Sequence, residues 1–271
     1  MVKKLNLNIL KKTILTIKFL FFALFIGNAQ NYVLQKNISV DAKKIEVDKF
    51  GNIYSIEEYK ITKYDSKGKL LFLFDDFGNG EISTLDVSNP LKPLVFYKDL
   101  KIVYVLDQKL SLVKWFNFIE NNLEFVSTIS TSKGSNYIVF DEIDNNLKKI
   151  DKSFNLLYES ESFLNLFEVE NKVFKITEEN NSIYVLDKEG IKLFDSFLNY
   201  IKTIPLNNIK DFQVFENEII YLDNNKLYSY NTTSLQYKEM SIPKSKDILE
   251  IKLIKNTLIV LIEGSLLLYS F

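Results

Sequence analysis

The 271-residue chain contains no cysteine and no histidine, and its 34 basic residues are all lysine. Without cysteine there are no disulfides and no thiolate nucleophile or ligand. Without histidine, a Ser-His-Asp triad and a His-ligated zinc site are excluded. So is any side chain whose ordinary pKa lies near neutrality. Without arginine there is no planar fork to grip a carboxylate or phosphate. Four prolines, eight glycines and one tryptophan complete the scarcities. The commonest catalytic and metal-binding constellations are gone, and no catalytic or metal-ligating residue is assigned.

What is present begins with a leader. Lys3, Lys4, Lys11, Lys12 and Lys18 precede the uncharged run Phe19-Leu-Phe-Phe-Ala-Leu-Phe-Ile26, and Gly27-Asn-Ala29 follows with small residues at both recognition positions. This order predicts a secretory signal peptide over residues 1–29. An anchor spanning 9–26 would instead bury three lysines, each at roughly 2.5–3.5 kcal/mol. Cleavage leaves 29 lysines against 35 acids, a net charge of about −6, which argues against nucleic acid and anionic lipid. No later run approaches the ~18 apolar residues of a span. The expected location is the periplasm or the cell surface.

The rest of the chain repeats. Ser182-Ile-Tyr-Val-Leu-Asp-Lys-Glu-Gly-Ile-Lys-Leu-Phe-Asp195 reads as two strands joined by a turn. Equivalent strand pairs are anchored at 53 and 61, 95 and 103, 139 and 147, 183 and 191, 219 and 227, and 258 and 266, always eight residues apart. Each second strand ends at its fifth position in a turn-favouring residue: Asp65, Asp107, Asp151, Asp195, Asn231 and Ser270. A period near 40 residues with several short strands per unit predicts blades of four strands. No helical periodicity follows the leader.

The expected fold is all-β, a six-bladed β-propeller of four-stranded antiparallel blades near 41–75, 82–118, 123–160, 165–206, 209–243 and 247–271. The last unit ends after its third strand. The segment Tyr32-Val-Leu-Gln-Lys-Asn-Ile-Ser-Val40 has no blade of its own, so it is expected to supply the missing outer strand and close the ring. These repeats resemble the six-bladed propellers of NHL-like and related exported bacterial proteins. The run Leu85-Asp-Val-Ser-Asn-Pro-Leu-Lys-Pro-Leu-Val-Phe-Tyr-Lys-Asp99 is also similar to one found in exported propellers of undefined role. The resemblance implies architecture and carries no catalytic residue over.

Candidate chemistry is confined to loops. Asp75-Asp-Phe-Gly-Asn-Gly-Glu81 joins blades one and two and offers Asp75, Asp76, Phe77, Asn79 and Glu81 as a binding site. Its oxygens could ligate Ca²⁺, although Phe77 falls where an EF-hand needs its second ligand. The alternative is a glycine-permitted connector whose acids face water. Asn89-Pro-Leu-Lys-Pro93 reads as a stiff connector on the opposite face. Glu57, Glu58 and the hairpin turns of blades three to six make one face acidic, chiefly as solvated turns. The equivalent acids Asp187, Glu189 and Asp195 have no special role on this reading. Trp115 is expected in an outer strand, buried between blades.

Taken together, the sequence predicts an exported, non-enzymatic binding or scaffold protein that supports a protein complex in the bacterial envelope, with no resident cofactor. One alternative is a calcium-dependent, carboxylate-based hydrolase of the lactonase-like propeller kind. Another is carbohydrate or peptide binding. Carboxylates converging on the channel mouth would favour the enzyme. An apolar channel and an aromatic patch on a blade rim would favour the scaffold.

Overall fold

The computed structural model describes residues 32–168, 172–243 and 247–271; the leader expected over residues 1–29 lies outside them. After β1 (Val33–Ser39), strands follow in groups of four. Blade one holds β2 (Lys44–Val47), β3 (Ile53–Ile56), β4 (Lys60–Tyr64) and β5 (Leu70–Asp75). Blade two holds β6 (Thr84–Asp86), β7 (Leu94–Tyr97), β8 (Ile102–Leu106) and β9 (Leu112–Asn117). Blade three holds β10 (Val126–Ser132), β11 (Asn136–Asp141), β12 (Asn146–Ile150) and β13 (Leu156–Glu159). Blade four holds β14 (Lys175–Glu179), β15 (Ser182–Asp187), β16 (Gly190–Asp195) and β17 (Tyr200–Ile204). Blade five holds β18 (Phe212–Phe215), β19 (Glu218–Asp223), β20 (Lys226–Asn231) and β21 (Tyr237–Met240).

The sixth sheet has the order β1, β24 (Ser265–Ser270), β23 (Thr257–Ile262), β22 (Ile248–Ile254). The N-terminal strand is therefore the outer strand of the last blade, antiparallel to β24 from Val33↔Ser270 to Ser39↔Ser265. The protein is a six-bladed β-propeller closed by strand exchange between its ends.

Period-two alternation explains why the ring holds. Each central strand is buried on both faces, and its alternate residues enter different cores. Leu94 and Phe96 pack toward blade three, whereas Val95 and Tyr97 pack toward blade one. Ile183 and Val185 face blade three, and Tyr184 and Leu186 face blade five. Six such cores, one per junction, complete the circle. The terminal junction uses Val40, Ala42, Ile45, Ile53 and Tyr64 of the N-terminal side against Ile259, Leu261, Leu266 and Leu268.

The fifth-position acids have a defined task. Asp65, Asp107, Asp151 and Asp195 each accept two backbone N–H bonds from the turn that follows, and Asn231 does the same through its side-chain oxygen. This is the Asx-turn that makes such residues favourable after a strand. Turn chemistry also sets strand ends. Asn180 and Asn181 both have positive φ (50° and 63°), which gives a two-residue hairpin and ends β14 at Glu179. Gly190 has φ of +131°, and a Cβ there would run into the Ile204 carbonyl and the Leu206 nitrogen.

Among the described residues one α-helical turn interrupts the all-β pattern, beside three short 3₁₀ turns. It is α1 (Phe163–Phe167), between blades three and four. Five residues are too few to leave a helical period in the sequence. The turn inserts Phe163, fully buried, against Phe194 at 5.5 Å.

Two measurements check this architecture. Removing residues 32–40 should lower Tm by roughly 10 °C or more, because it strips one whole strand from blade six; an unchanged Tm contradicts the closure. Gly190→Ala should cost at least about 2 kcal/mol in denaturant unfolding, since both the dihedral and the space oppose a side chain.

Candidate functional site

The 75–81 loop is a connector tied to its neighbours. Asp75 ends β5, and Phe77–Asn79 form a single 3₁₀ turn. The Asp76 carboxylate accepts bonds from Asn79 Nδ2 (2.7 Å) and the Tyr97 hydroxyl (2.9 Å), and Asn79 also donates to the Tyr104 hydroxyl (2.6 Å). Burial, then the bond to Asp76, pushes the Tyr97 hydroxyl far above its usual pKa, so it stays a donor. Phe77 is exposed and meets Tyr59 edge-on, while Glu81 faces solvent. The five candidate residues are neighbours in the chain, and one Asp76 oxygen and the Asn79 amide nitrogen are engaged by each other and by Tyr97 and Tyr104 of blade two. Among the described residues no group of three or more carboxylates is placed to hold a metal ion. Pro90 and Pro93 are buried, and the Pro93 carbonyl accepts from Leu106 N, as a stiff connector requires.

Several acids of the hairpin face are paired with lysines. Glu57 pairs with Lys60, Glu58 with Lys43, and Glu142 with Lys98. Lys148 reaches both Asp141 and Asp144. Asp187 departs from the expectation that it is an ordinary turn acid. It is fully buried, ion-paired to the equally buried Lys192, and the ammonium lies 4.6 Å from the Phe167 ring centroid. Trp115 is likewise corrected: β9 is an outer strand, but the indole is 55 % exposed, because it projects from the free rim and not into a junction.

The densest electrostatics lie on the propeller axis, where inner strands from four blades converge. Lys175 of β14 donates to Glu46 of β2 (2.9 Å) and to Asp211 beside β18 (2.7 Å). Lys252 of β22 pairs with the same two carboxylates, Glu46 at 3.2 Å and Asp211, to which it donates, at 2.5 Å. Blades one and four stand opposite each other in a ring of six, so the Lys175–Glu46 contact crosses the channel. Glu250, two residues before Lys252, accepts from the Ile45 amide (2.7 Å). Other inner strands are capped in the same way. Asp86 accepts from Thr131 N at 2.5 Å, and the Gln213 amide exchanges two bonds with Leu253 (2.8 and 2.9 Å). Side chains of one blade thus satisfy the open backbone edge of another.

The protonation states follow from this packing. Burial opposes charge on Asp211, but Lys175 and Lys252 hold its carboxyl far below the usual range. Burial likewise opposes charge on Lys252, but Asp211, Glu46 and Glu250 hold its ammonium well above its ordinary value. Glu250 goes the other way. Burial raises its pKa and Lys252 lowers it, Asp211 raises it again, and it stands at about 7. Beside it, between blades five and six on the hairpin face, opens a cavity of about 270 Å³ whose lining includes Asp211, Glu250, Ile220 and Leu222. A β-bulge between Ile248 and Glu250 re-aims the strand here. None of these residues was singled out from the sequence. The available signal was a charge at alternate positions of short inner strands, as in Lys44-Ile-Glu46 and Glu250-Ile-Lys252.

Three consequences can be measured. Lys252→Met should cost about 3–5 kcal/mol, as expected when one member of a buried ion cluster is removed. Asp211 stabilises the fold above its unfolded pKa, and that contribution should disappear as pH falls through the carboxylate range. Glu250 binds a proton in the folded state between its ordinary value near ~4.3 and about 7, so stability should decline as pH rises across that interval. Glu250→Gln should flatten that decline in a series of denaturation curves.

No family model matches the chain, and no curated protein matches it in sequence. Solved structures match it in fold. A streptogramin B lyase superposes with a TM-score of 0.61 at 13 % identity, covering 89 % of this chain and 98 % of the lyase. BamB from Moraxella catarrhalis does so at 0.55 and 11 % identity, covering 89 % and 100 %. The Cps50 (Swd1) propeller of Myceliophteria thermophila does so at 0.59 and 11 %, also covering 89 % and 100 %. At these identities the likeness is one of architecture, and the chain shares with all three the β-propeller fold.

Proposed function

We propose that the protein is an exported, non-enzymatic binding or scaffold protein that holds a protein partner in the bacterial envelope. The observation that carries this reading is the aromatic and apolar patch on the rim of blades three and four. Leu156, Leu157 and Tyr158 of β13 are 53, 41 and 42 % exposed, and Phe197 and Ile201 of blade four are 56 and 51 % exposed. Tyr158 and Phe197 meet edge to face at 5.3 Å, which joins the two rims into one surface. Contiguous exposed apolar area of this kind favours burial against another protein. The axis supports the same reading, because the Lys175–Glu46 pair crosses the channel and fills the place where a propeller substrate would thread.

Export rests on the leader at residues 1–29. Among the described residues no helix is long and apolar enough to cross a membrane. The likeness to BamB fits an envelope scaffold. The lyase likeness fits less well, because a Staphylococcus aureus virginiamycin B lyase was made catalytically inactive by replacing one histidine, and this chain has none.

Crosslinking and affinity purification from the native envelope test the proposal. The wild-type protein should recover one partner in stoichiometric yield. A Tyr158→Ser/Phe197→Ser variant should lose at least about tenfold in capture, as expected when two aromatic anchors are removed. Recovery of no partner, together with stabilisation by added calcium, would favour the hydrolase.

A further inference from the structure

The two faces of the ring carry their charge differently. Turns that follow third strands leave Lys67, Lys69, Lys109 and Lys152 exposed, while Asp65, Asp107 and Asp151 beside them are engaged by backbone amides. On the opposite, hairpin face of blades one to three, Glu81, Asp99, Glu120, Glu124 and Glu161 are exposed and form no salt bridge among the described residues. The lysines of the same turns are committed: Lys60 pairs with Glu57, Lys98 with Glu142, and Lys101 donates to the Val126 carbonyl (2.8 Å).

Apolar side chains lie among these acids. Phe77, Leu100, Ile119, Phe125, Ile143 and Leu164 are all exposed, and each sits in a hairpin turn or a blade-to-blade connector of this face. Backbone bonds hold those segments side by side. The Phe118 amide donates to the Lys101 carbonyl (2.8 Å), which ties the segment of Ile119 to that of Leu100. The Glu142 amide donates to the Phe125 carbonyl (3.0 Å), and the Phe163 amide to the Asn145 carbonyl (2.7 Å). Lys98 and Glu142, at 3.1 Å, join the hairpins of blades two and three, and the Asp76–Tyr97 bond holds the Phe77 turn to blade two. The product is an apolar arc in which acid and hydrophobe alternate, as in Asp76-Phe77, Asp99-Leu100, Ile119-Glu120, Glu124-Phe125 and Glu142-Ile143.

Exposed apolar surface of this extent favours burial, and the surrounding charge selects what buries it. A second copy of the chain would set acid against acid, and an anionic bilayer would be repelled. We propose that the hairpin face of blades one to three docks a basic amphipathic segment of a partner protein, its apolar side chains on the arc and its lysines or arginines against Glu81, Asp99, Glu120 and Glu124. Phe77 and Glu81 then act as docking contacts and not as a metal site. Docking here needs neither Tyr158 nor Phe197, so it stands whether or not the rim of blades three and four holds a partner.

Fluorescence anisotropy on the purified protein tests this with a labelled peptide made of two copies of Leu-Lys-Lys-Leu-Leu-Lys-Leu. One counterpart carries glutamate for every lysine, and another carries serine for every leucine. The basic apolar peptide should bind saturably, more weakly as salt is raised, and neither counterpart should bind. Phe77→Ser/Ile143→Ser, at the two most exposed members of the arc, should weaken binding at least about tenfold. Glu120→Gln/Glu124→Gln should weaken it and reduce its salt dependence. Tyr158→Ser/Phe197→Ser should bind the peptide as the wild type does, which separates this site from the rim. Equal binding of the two leucine peptides, or unchanged binding in the Phe77→Ser/Ile143→Ser variant, would overturn the proposal. Self-association that the same variant abolishes, without peptide binding, would assign the face to a second copy and overturn it too.

Discussion

Two lysine ammoniums on the propeller axis set the terms for the rest of the structure. Lys175 and Lys252 are shared by Glu46 and Asp211, and the four side chains come from four different blades. A six-bladed ring otherwise leaves its innermost strands with open edges and a water-filled hole. Here charged and amide side chains from one blade satisfy the edge of another, at Ile45, Thr131 and Leu253. The cluster is costly to desolvate and pointless to half-build, so its members act as a unit. It also closes the axis, with Glu250 beside Lys252 and accepting from the Ile45 amide.

Around that centre the stabilisation is repetitive and apolar. Each junction buries alternate residues of two neighbouring blades, and the fully buried aromatics Tyr54, Phe96, Phe140 and Phe194 lie on central strands. The terminal junction is the exception in connectivity, since β1 and β24 come from opposite ends of the described chain. Ring closure and axial pairing reinforce each other there. The blade completed by β1 is the blade that carries Lys252 and Glu250.

The hairpins could be read in advance because they are local. An eight-residue offset with a turn residue at the fifth position fixes register over a dozen residues, and Asp65, Asp151 and Asp195 cap their turns as that spacing requires. Closure by the N-terminal strand was legible for a similar reason: one unit lacked a strand and one strand lacked a unit. The axial cluster was hidden because its members lie up to 206 positions apart, from Glu46 to Lys252, and each alone looks like a solvated charge. Asp187 was misread because its burial depends on α1 bringing Phe167 over Lys192, a contact outside the repeat. Trp115 lies in the expected strand, but that outer strand exposes both faces along Leu112–Trp115 and leaves the indole at the rim. The 75–81 loop stands out through composition, and one Asp76 oxygen in it accepts from both Asn79 and Tyr97.

The account rests on the charge distribution at the axis, and the most direct measurement is a pH titration of side-chain carboxyl ¹³C shifts for Glu46, Asp211 and Glu250. It predicts that Asp211 stays ionised to the acid limit of the folded state while Glu250 titrates near pH 7. Titration of Asp211 and Glu250 together in the ordinary carboxylate range around ~4 would contradict it.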